Sequence, residues 1–214
     1  SPGDEELALW AQPLPCEDGA SLPTPRRVEL PCSPDGPLAI DLEGDRAWAV
    51  CSKAPALVTV EGLTSDAPEV SRAVLGAVPG LTDLAYEPIS GTLWAASPTV
   101  AGGRLRRLAL DDEPAWTIHA PGVRHLAVGR SRDGGTDAGR LYAAGDTGLW
   151  RVDTDTELVW ADTLEHPVLD LAVGDAVQEI VLLQDVDGVP TLRSAFDVDH
   201  VTAVRAGALR VALV

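Results

Sequence analysis

A short phrase recurs five times along this chain at almost even intervals, and that spacing limits the folds the chain can adopt. Each copy begins with a charged residue, a histidine or a proline, followed by an aliphatic residue, an alanine and a second large apolar residue. The aliphatic members lie 46, 42, 45 and 40 residues apart, at Leu38, Leu84, Leu126, Leu171 and Val211. This period suits a repeating unit of four β-strands, and the small alanine lets innermost strands approach one another.

Further phrases follow these copies in a fixed order, which indicates the other strands of each unit. Second strands are short apolar or aromatic runs bounded by turn residues, centred on Trp10, Trp48, Trp94, Tyr142 and Val181. Third strands align at 105–108 and 149–152, and two further segments fit more loosely, at 57–60 and 192–195. Fourth strands are predicted at 73–78, 116–119, 158–161 and 201–204.

The two ends of the chain complement each other. The C-terminal copy, which starts at Arg210, is a first strand with no followers. The N-terminus offers the missing second, third and fourth strands, at 7–11, 20–24 (weakly) and 26–30. Sharing one sheet between the two ends would close a ring and leave no exposed edge between the first and last units.

We therefore predict an all-β fold, a β-propeller of five four-stranded blades with a split blade closed by the N- and C-terminal strands. The whole chain, 1–214, is expected to form a single domain, in which the irregular, Pro-rich segment 1–36 contributes closing strands. A β-sandwich would need no such register-matched repeat. A truncated larger propeller would make the fit of the two ends a coincidence.

Several of these phrases resemble NHL- and YVTN-type propeller repeats. The resemblance covers 37–204 and is carried by 83–85 followed by 91–96, by 139–144 and by 148–153. It implies the propeller fold. It implies little about activity, because propellers host enzymes, binding modules and scaffolds alike.

The chain is strongly acidic, with a formal net charge of −17, and Lys53 is its single lysine. Nucleic acids and anionic lipid headgroups are bound through cationic side chains, so an acidic surface disfavours both partners. No stretch approaches 18 uninterrupted apolar residues, which argues against a membrane span. We expect the charge to favour solubility and the partners to be proteins.

Methionine is missing from the chain, including at position 1. We therefore expect that an initiator and a cleaved export signal preceded Ser1, which predicts an extracytoplasmic protein that is periplasmic, secreted or surface-attached. A lipid-bearing cysteine immediately upstream of Ser1 is an alternative form of anchoring. An engineered start would leave the same sequence.

The three cysteines are Cys16, Cys32 and Cys51, and none belongs to a C-x-x-C pair, which argues against thiolate metal ligation. Cys16 and Cys32 lie in the same Pro-rich segment, where a bond would close a short loop. We predict this pair as a disulfide, with Cys32–Cys51 as the alternative. The remaining thiol is expected to be a small buried residue.

The residue that precedes each first-strand aliphatic residue is the main candidate for chemistry. The equivalent positions hold Pro37, Asp83, His125, Asp170 and Arg210. Four ionisable groups should therefore lie at one level near a central channel, where they would bind a ligand or cation with His125 as a base. The structural alternative is that the aspartates hold neighbouring backbone N–H groups and that Asp170 pairs with Arg210.

Other acidic residues offer weaker candidates. Asp185 and Asp187 alternate as in a Ca²⁺ site, but further oxygen ligands and a terminal bidentate acid are missing, and Asp187-Gly188 is a common hairpin turn. We therefore expect a turn there and no cofactor, with Ca²⁺ as the alternative. A glycosidase would need paired carboxylates, for which the candidates are Asp41, Asp83 and Asp170, with Glu87 behind them.

One loop and several aromatic residues are candidate contact surfaces. The 131–140 insertion, with the pair Gly134-Gly135 and two aspartates, could carry binding. Aromatic residues at the second-strand position are expected to pack between blades. Trp116, Trp150 and Trp160 belong to outer strands, where exposure would make them partner contacts.

These features favour a non-catalytic extracytoplasmic propeller that acts as a protein-interaction or assembly module. It would serve as an accessory subunit of a larger envelope or surface complex. The alternative is a hydrolase or lyase with a polar or Ca²⁺-binding central channel, formed by Asp83, His125, Asp170 and Arg210.

Overall fold

The structure is a computed structural model, and it describes most of the chain outside the N- and C-terminal segments. The described residues are 9–11, 26–32, 34–41, 43–51, 56–74, 80–99, 102–108, 117–131, 138–146, 148–154, 158–174, 179–198 and 201–209. Every regular element among them is a β-strand, as the all-β prediction requires. None of them forms a helix long and apolar enough to cross a membrane.

The strands form one two-stranded sheet and four four-stranded antiparallel sheets. The small sheet contains β1 (Leu9–Ala11) and β2 (Arg26–Val28). The next sheets contain β3 (Leu38–Asp41), β4 (Arg46–Cys51), β5 (Ala56–Glu61) and β6 (Glu69–Val74), then β7 (Asp83–Glu87), β8 (Thr92–Ser97), β9 (Arg104–Leu108) and β10 (Thr117–His119). The last two contain β11 (Val123–Ser131), β12 (Ala138–Gly145), β13 (Gly148–Asp153) and β14 (Leu158–Thr163), then β15 (Val168–Gly174), β16 (Glu179–Val186), β17 (Val189–Val198) and β18 (Val201–Leu209).

The chain divides into two compact units, 1–79 and 80–214. The first contains the two-stranded sheet and the sheet β3–β6, and the second contains the other three four-stranded sheets. The repeating four-stranded unit is thus confirmed in four copies. A single domain, a fifth blade and closure of the ring stay predictions.

The strand register confirms how the repeats were aligned. The first-strand leucines Leu38, Leu84 and Leu126 lie opposite Ala49, Ala95 and Ala143 of their second strands. The second-strand residue just before each of these alanines is aromatic and lies opposite a first-strand alanine; these residues are Trp48, Trp94 and Tyr142. These three aromatic side chains are fully buried, and Trp94 and Tyr142 lie in clusters between adjacent sheets, as predicted for this position.

Apolar side chains between adjacent sheets form the core of the second unit. One cluster joins β7–β9 to β11–β13 and includes Trp94, Leu105, Leu141 and Trp150. Another joins β11–β13 to β15–β16 and includes Tyr142, Leu171 and Leu182. Because both faces of the second strands β8 and β12 are buried, those strands read as nearly continuous apolar runs instead of strict alternation.

The start of one predicted strand and the place of another in its sheet were wrong. The fourth strand of the first unit begins at Glu69, not at 73, because Glu61 at the end of β5 lies opposite Glu69; residues 75–78 of the predicted strand lie outside the described residues. Its described side chains are exposed on both faces, so an apolar run was the wrong indicator for this outer strand. Arg26–Val28 pairs directly with Leu9–Ala11, and it is therefore the neighbour of that second strand, not a fourth strand. The weak third strand at 20–24 lies outside the described residues.

The predicted Cys16–Cys32 disulfide was also wrong, because the bond joins Cys32 to Cys51. Val28 of β2 packs in one cluster with Cys51, Val58 and Val60. This packing places the residues that follow Val28 near the end of β4, where Cys51 lies. The Cα atoms of the two cysteines are then 6.2 Å apart, within the range that a disulfide spans. Cys16 lies outside the described residues.

Candidate functional site

The second unit brings together three of the four residues predicted for the channel. Asp83 begins β7, and His125 and Asp170 occupy the matching positions of β11 and β15. Strand β11 contacts both β7 and β15, so the three residues form a row across adjacent inner strands. We call Asp83, His125 and Asp170 the first-strand row. Arg210, the fourth predicted residue, lies outside the described residues.

Asp83 is held by two backbone amides from different sheets. The amide of Leu84 donates to Oδ1 at 2.8 Å, and the amide of Leu126 donates to Oδ2 at 2.7 Å. The neighbouring hydroxyl of Thr82 donates to the carbonyl oxygen of Arg124 at 3.0 Å. Both carboxylate oxygens of Asp83 therefore accept backbone N–H groups, as the structural alternative expects, and join β7 to β11.

Burial and nearby charge act on Asp83 in opposite directions. Burial is the largest influence and raises the pKa of the carboxyl group above its ordinary value. The amides of Leu126 and Leu84 and the charge of His125 lower this pKa, whereas the charge of Asp170 raises it further. The net pKa of Asp83 is raised, so this carboxyl group gives up its proton at a higher pH than a free aspartate does.

Asp170 repeats half of this arrangement. Its Oδ1 atom accepts the amide of Leu171 at 2.8 Å, and its side chain is exposed. A shift of register lies immediately before Asp170, between it and Val168, and a similar shift lies before His125. Such β-bulges add one residue to a strand and redirect side chains, often next to functional sites.

The bulges turn two side chains outward beside the row. Arg124, in the bulge of β11, pairs with Asp146 at 3.1 Å on the surface. Leu169, in the bulge of β15, is 42% exposed. Val189 is 61% exposed and follows the β16–β17 turn. That turn lies at the same end as the start of β15, because the start of β15 pairs with the end of β16.

We call this surface the entry face and define it by Arg124, Asp146, Leu169, Asp170 and Val189. It combines two exposed aliphatic side chains with an exposed ion pair and a further acid. None of the aliphatic members was predicted from the sequence. A bulge leaves no clear pattern in a single sequence, although Val189 directly follows a recognisable Asp-Gly turn.

Asp83 and Glu87, two of the four carboxylates proposed for a glycosidase pair, are not adjacent. Glu87 ends the strand that Asp83 begins, so four residues of extended chain, about 13 Å, separate them. The carboxylate of Glu87 is fully buried and accepts the amides of Ile89 and Ser90, both at 2.7 Å, together with the Ser90 hydroxyl. It therefore stabilises the turn after β7.

Glu87 also joins two sheets, which the sequence did not reveal. Its Oε2 atom accepts the hydroxyl of Thr154 at 3.0 Å, and that hydroxyl lies 3.1 Å from the carbonyl oxygen of Gly139. A Cβ atom on Gly139 would overlap the Glu87 carboxylate and the Thr154 hydroxyl. The glycine is therefore needed for close approach of the two sheets.

Asp41 is the equivalent turn acid of the first unit. It accepts the Gly44 amide and one Arg46 guanidinium nitrogen, both at 2.9 Å. Burial alone would raise the pKa of Asp41, but hydrogen bonds from Gly44 and Arg46 and the charge of Arg46 outweigh it. The net pKa is lowered, with a further contribution from the Glu43 amide. Its partners give Asp41 a structural role.

The weak metal candidates form the expected hairpin turn. Val186 lies opposite Val189, and the two residues between them, Asp187 and Gly188, have φ values of 54° and 81°. Positive φ at both positions is typical of a type I′ turn. Asp185 Oδ1 accepts the Gly188 amide at 2.7 Å. Across the part of the chain that the structure describes, no three His, Cys, Asp or Glu side chains cluster as metal ligands would.

The remaining predicted contact residues give a mixed result. Trp150 is buried in the cluster between sheets, so it does not meet the condition of exposure under which it would be a partner contact. It occupies an inward-facing position of β13 beside Gly148, where a Cβ atom would overlap its ring. Trp116 and residues 132–137 of the predicted loop lie outside the described residues, as does the side chain of Trp160.

No protein-family model and no curated protein matches the chain. Similar solved structures include a chain of the mitotic checkpoint complex, with 12% identity and a TM-score of 0.59 over 87% of this chain and 54% of that chain. Another is the extracellular domain of a protein described as a one component system of B. thetaiotaomicron, with 12% identity and a TM-score of 0.55 over 84% of this chain and 23% of that chain.

This chain therefore spans about half of the first neighbour and about a quarter of the second. At such identities the likeness concerns the fold alone. Together with the four-stranded antiparallel sheets, it fits a propeller fold. Membership of the NHL or YVTN repeat type stays a prediction.

Proposed function

We propose that this chain is a non-catalytic extracytoplasmic β-propeller that acts as a protein-interaction or assembly module. In this proposal it is an accessory subunit of a larger envelope or surface complex. Its scaffold is a ring of five blades, the fifth shared by the two ends of the chain. Both solved neighbours support an interaction module, since one is part of a multiprotein complex and the other is an extracellular domain.

The observation that carries the proposal is the entry face. Leu169 and Val189 are exposed aliphatic side chains at one end of one sheet, and charged groups stand beside them. Exposed apolar residues that are rimmed by polar ones are typical of protein contacts. The first-strand row at the same end uses the oxygens of Asp83 to bind backbone amides, which leaves the carboxylate engaged in the scaffold.

The charge of the entry face indicates the chemistry of the partner. Asp146 and Asp170 outnumber the single cation Arg124, and the whole chain carries a net charge of −17. A partner with an apolar centre and a basic rim would match both features, and attraction between opposite charges would speed association. We expect that association to weaken as ionic strength rises.

The test compares two surface variants of the tagged chain expressed in its own host. L169S/V189S removes the aliphatic side chains of the entry face. I89S is the matched control, because Ile89 is 40% exposed but follows the opposite end of β7. We expect one co-purifying protein, bound to wild type and to I89S and weakened about tenfold or more by L169S/V189S, which corresponds to about 1.4 kcal/mol. Equal binding by all three chains would contradict the proposal.

The alternative function is a hydrolase or lyase with a polar or Ca²⁺-binding channel around the first-strand row and Arg210. The raised pKa of Asp83 beside His125 favours it, because a general acid must hold its proton at a higher pH than a free aspartate does. Thermal unfolding with Ca²⁺ and with EDTA, in wild type and in D170N, tests the metal form. A rise in Tm with Ca²⁺ that D170N abolishes would support this alternative over the interaction module.

A further inference from the structure

One face of strands β9 and β10 carries a concentration of cationic side chains. Arg104 and Arg106 are two residues apart on β9, and the strand register places His119 opposite Arg104 and Thr117 opposite Arg106. Alternate residues of a strand share a face, so these four side chains lie together. We call Arg104, Arg106, Thr117 and His119 the basic face. Its two arginines are half-buried, whereas Thr117 and His119 are exposed.

The acids of this sheet lie on its other face, which packs on the neighbouring sheet. Leu105 belongs to the apolar cluster that joins β7–β9 to β11–β13, and Ile118 packs against that cluster. Asp83 and Glu87 alternate along β7 with Ala85, which belongs to the same cluster, so both acids share that face. Both also accept hydrogen bonds from the neighbouring sheet. Neither carboxylate is therefore available to the basic face.

No acid in the described part of the chain forms an ion pair with Arg104, Arg106 or His119. Other arginines of the second unit do lie beside carboxylates; the pairs are Arg124–Asp146, Arg140–Asp153 and Arg151–Asp153. Arg104 and Arg106 begin only about 7 Å apart along the strand, and like charges at this distance repel each other. In a chain with 33 acidic and 16 basic residues, such a local conflict is typical of a functional site.

We propose that the basic face binds a phosphate group. A carboxylate has one negative charge and two oxygens, which is fewer than two guanidinium groups and an imidazole can engage. An ester-linked phosphate carries about −1.5 to −2 charges at neutral pH and has three acceptor oxygens. It therefore matches Arg104, Arg106 and His119 in both charge and hydrogen bonding, and the Thr117 hydroxyl is a further donor.

The size of the basic face and the charge of the chain favour a small ligand over a polymer. Directly opposite side chains of an antiparallel pair begin about 5 Å apart, and diagonal ones about 7 to 8 Å apart, so one group can reach all three cations. Salt screens charges that lie beyond about 8 to 10 Å, which shields such a ligand from the acidic remainder of the chain. A nucleic acid would extend over that acidic surface and be repelled by it. The ligand is therefore free phosphate or a small phosphomonoester.

Equilibrium dialysis of the full chain tests the proposal, with inorganic phosphate and glycerol 3-phosphate as ligands at one fixed ionic strength. We expect saturable binding that R104Q/R106Q weakens about tenfold or more and H119N about threefold or more. R193Q is the matched control and should bind as wild type does, because Arg193 is a half-buried arginine of the equivalent third strand, β17. Tighter binding of glycerol 3-phosphate would assign the site to a phosphomonoester, and tighter binding of phosphate would assign it to the free ion.

Several results of the dialysis would overturn the proposal. These are the absence of saturable binding, equal binding by wild type and R104Q/R106Q, and equally tight binding of acetate. D111N/D112N/E113Q tests whether acids of this chain occupy the basic face instead, since these residues connect β9 to β10 and lie outside the described residues. Phosphate binding that appears only in this variant would also overturn the proposal.

Urea unfolding separates a ligand site from a structural role of the two arginines. Without phosphate, R104Q/R106Q should be at least as stable as wild type, because the change removes repulsion between like charges. With phosphate, wild type and R193Q should gain stability and R104Q/R106Q should not. A large loss of stability in R104Q/R106Q without phosphate would assign the arginines to the scaffold and overturn the proposal. The basic face shares no residue with the entry face, so the two proposals fail independently.

Discussion

Replacing Asp83 by alanine should weaken the junction between β7 and β11. The change removes the acceptor of two amides, those of Leu84 and Leu126, and both of these residues are buried. A hydrogen bond to a charged group contributes about 1.5 to 3 kcal/mol, and part of that is offset here because burial of the charge is unfavourable. We expect D83A to lower the free energy of unfolding by about 2 to 4 kcal/mol.

The loss of unfolding free energy in D83A should depend on pH in a defined direction. The folded-state pKa of Asp83 is raised, so the folded protein binds its proton more tightly than the unfolded chain. The contribution of this group to stability is complete below the unfolded pKa, near 4, and declines as pH rises through the raised folded value. The difference in unfolding free energy between wild type and D83A should therefore be largest below about pH 4 and should decrease toward neutral pH.

Urea unfolding at a series of pH values would measure this difference. D83N keeps one acceptor oxygen and should lose about half as much free energy as D83A. D170A is the matched control, because Asp170 is exposed and accepts one amide among the described residues, so a loss below about 1 kcal/mol is expected. A D83A effect no larger than that of D170A, or one that grows toward neutral pH, would refute the reasoning.

Three further perturbations test contacts between and within sheets. T154V deletes the hydroxyl that donates to buried Glu87 and should lower the free energy of chemical unfolding by about 1 to 3 kcal/mol. T154S keeps a hydroxyl and should keep most of the wild-type stability. Equal stability of T154V and T154S would contradict the contact. G139A should lower the free energy of unfolding by about 1 to 3 kcal/mol, because the added methyl group would overlap Glu87 and Thr154. An unchanged free energy of unfolding would show that the two sheets can move apart freely. C32S/C51S should lower stability by about 3 kcal/mol, and reductant should then lower the stability of wild type but not of the variant.

The fold was largely predictable because repetition makes a weak signal strong. Any one copy of the first phrase is ambiguous, but five copies at one spacing fix which residues are equivalent. The observed registers of Leu38, Leu84 and Leu126 reproduce that equivalence. Burial of Trp48 and Trp94 followed from the same alignment, because a position repeated in every unit is shaped by packing.

Features outside the repeat were not predictable in this way. The β6 strand lies on an outer edge, where exposure removes the need for an apolar pattern, so its start was placed at 73 instead of Glu69. The Cys32–Cys51 bond depends on Val28 packing against another sheet, which no local spacing encodes. Leu169 looked like an ordinary strand residue, and only the bulge in β15 turns it outward.

The strand positions of the first-strand row were predicted from the sequence, but most of the contacts of its residues were not. Placing Asp83, His125 and Asp170 in one row followed from the repeat. That Asp83 binds amides from two sheets depends on how closely β7 and β11 approach, which sequence does not specify. The Glu87–Thr154 contact joins residues that are 67 positions apart, and neither belongs to a recognisable motif.

The strand order in each four-stranded sheet follows the order of the chain. Every pairing inside a sheet therefore joins consecutive strands, and the loops that must close are short. A ribosome that releases the chain from its N-terminal end would release each complete sheet before the next one begins, so the sheets can assemble in succession during synthesis. Contacts such as that of Asp83 with Leu126 would then lock each newly formed sheet onto the one made before it.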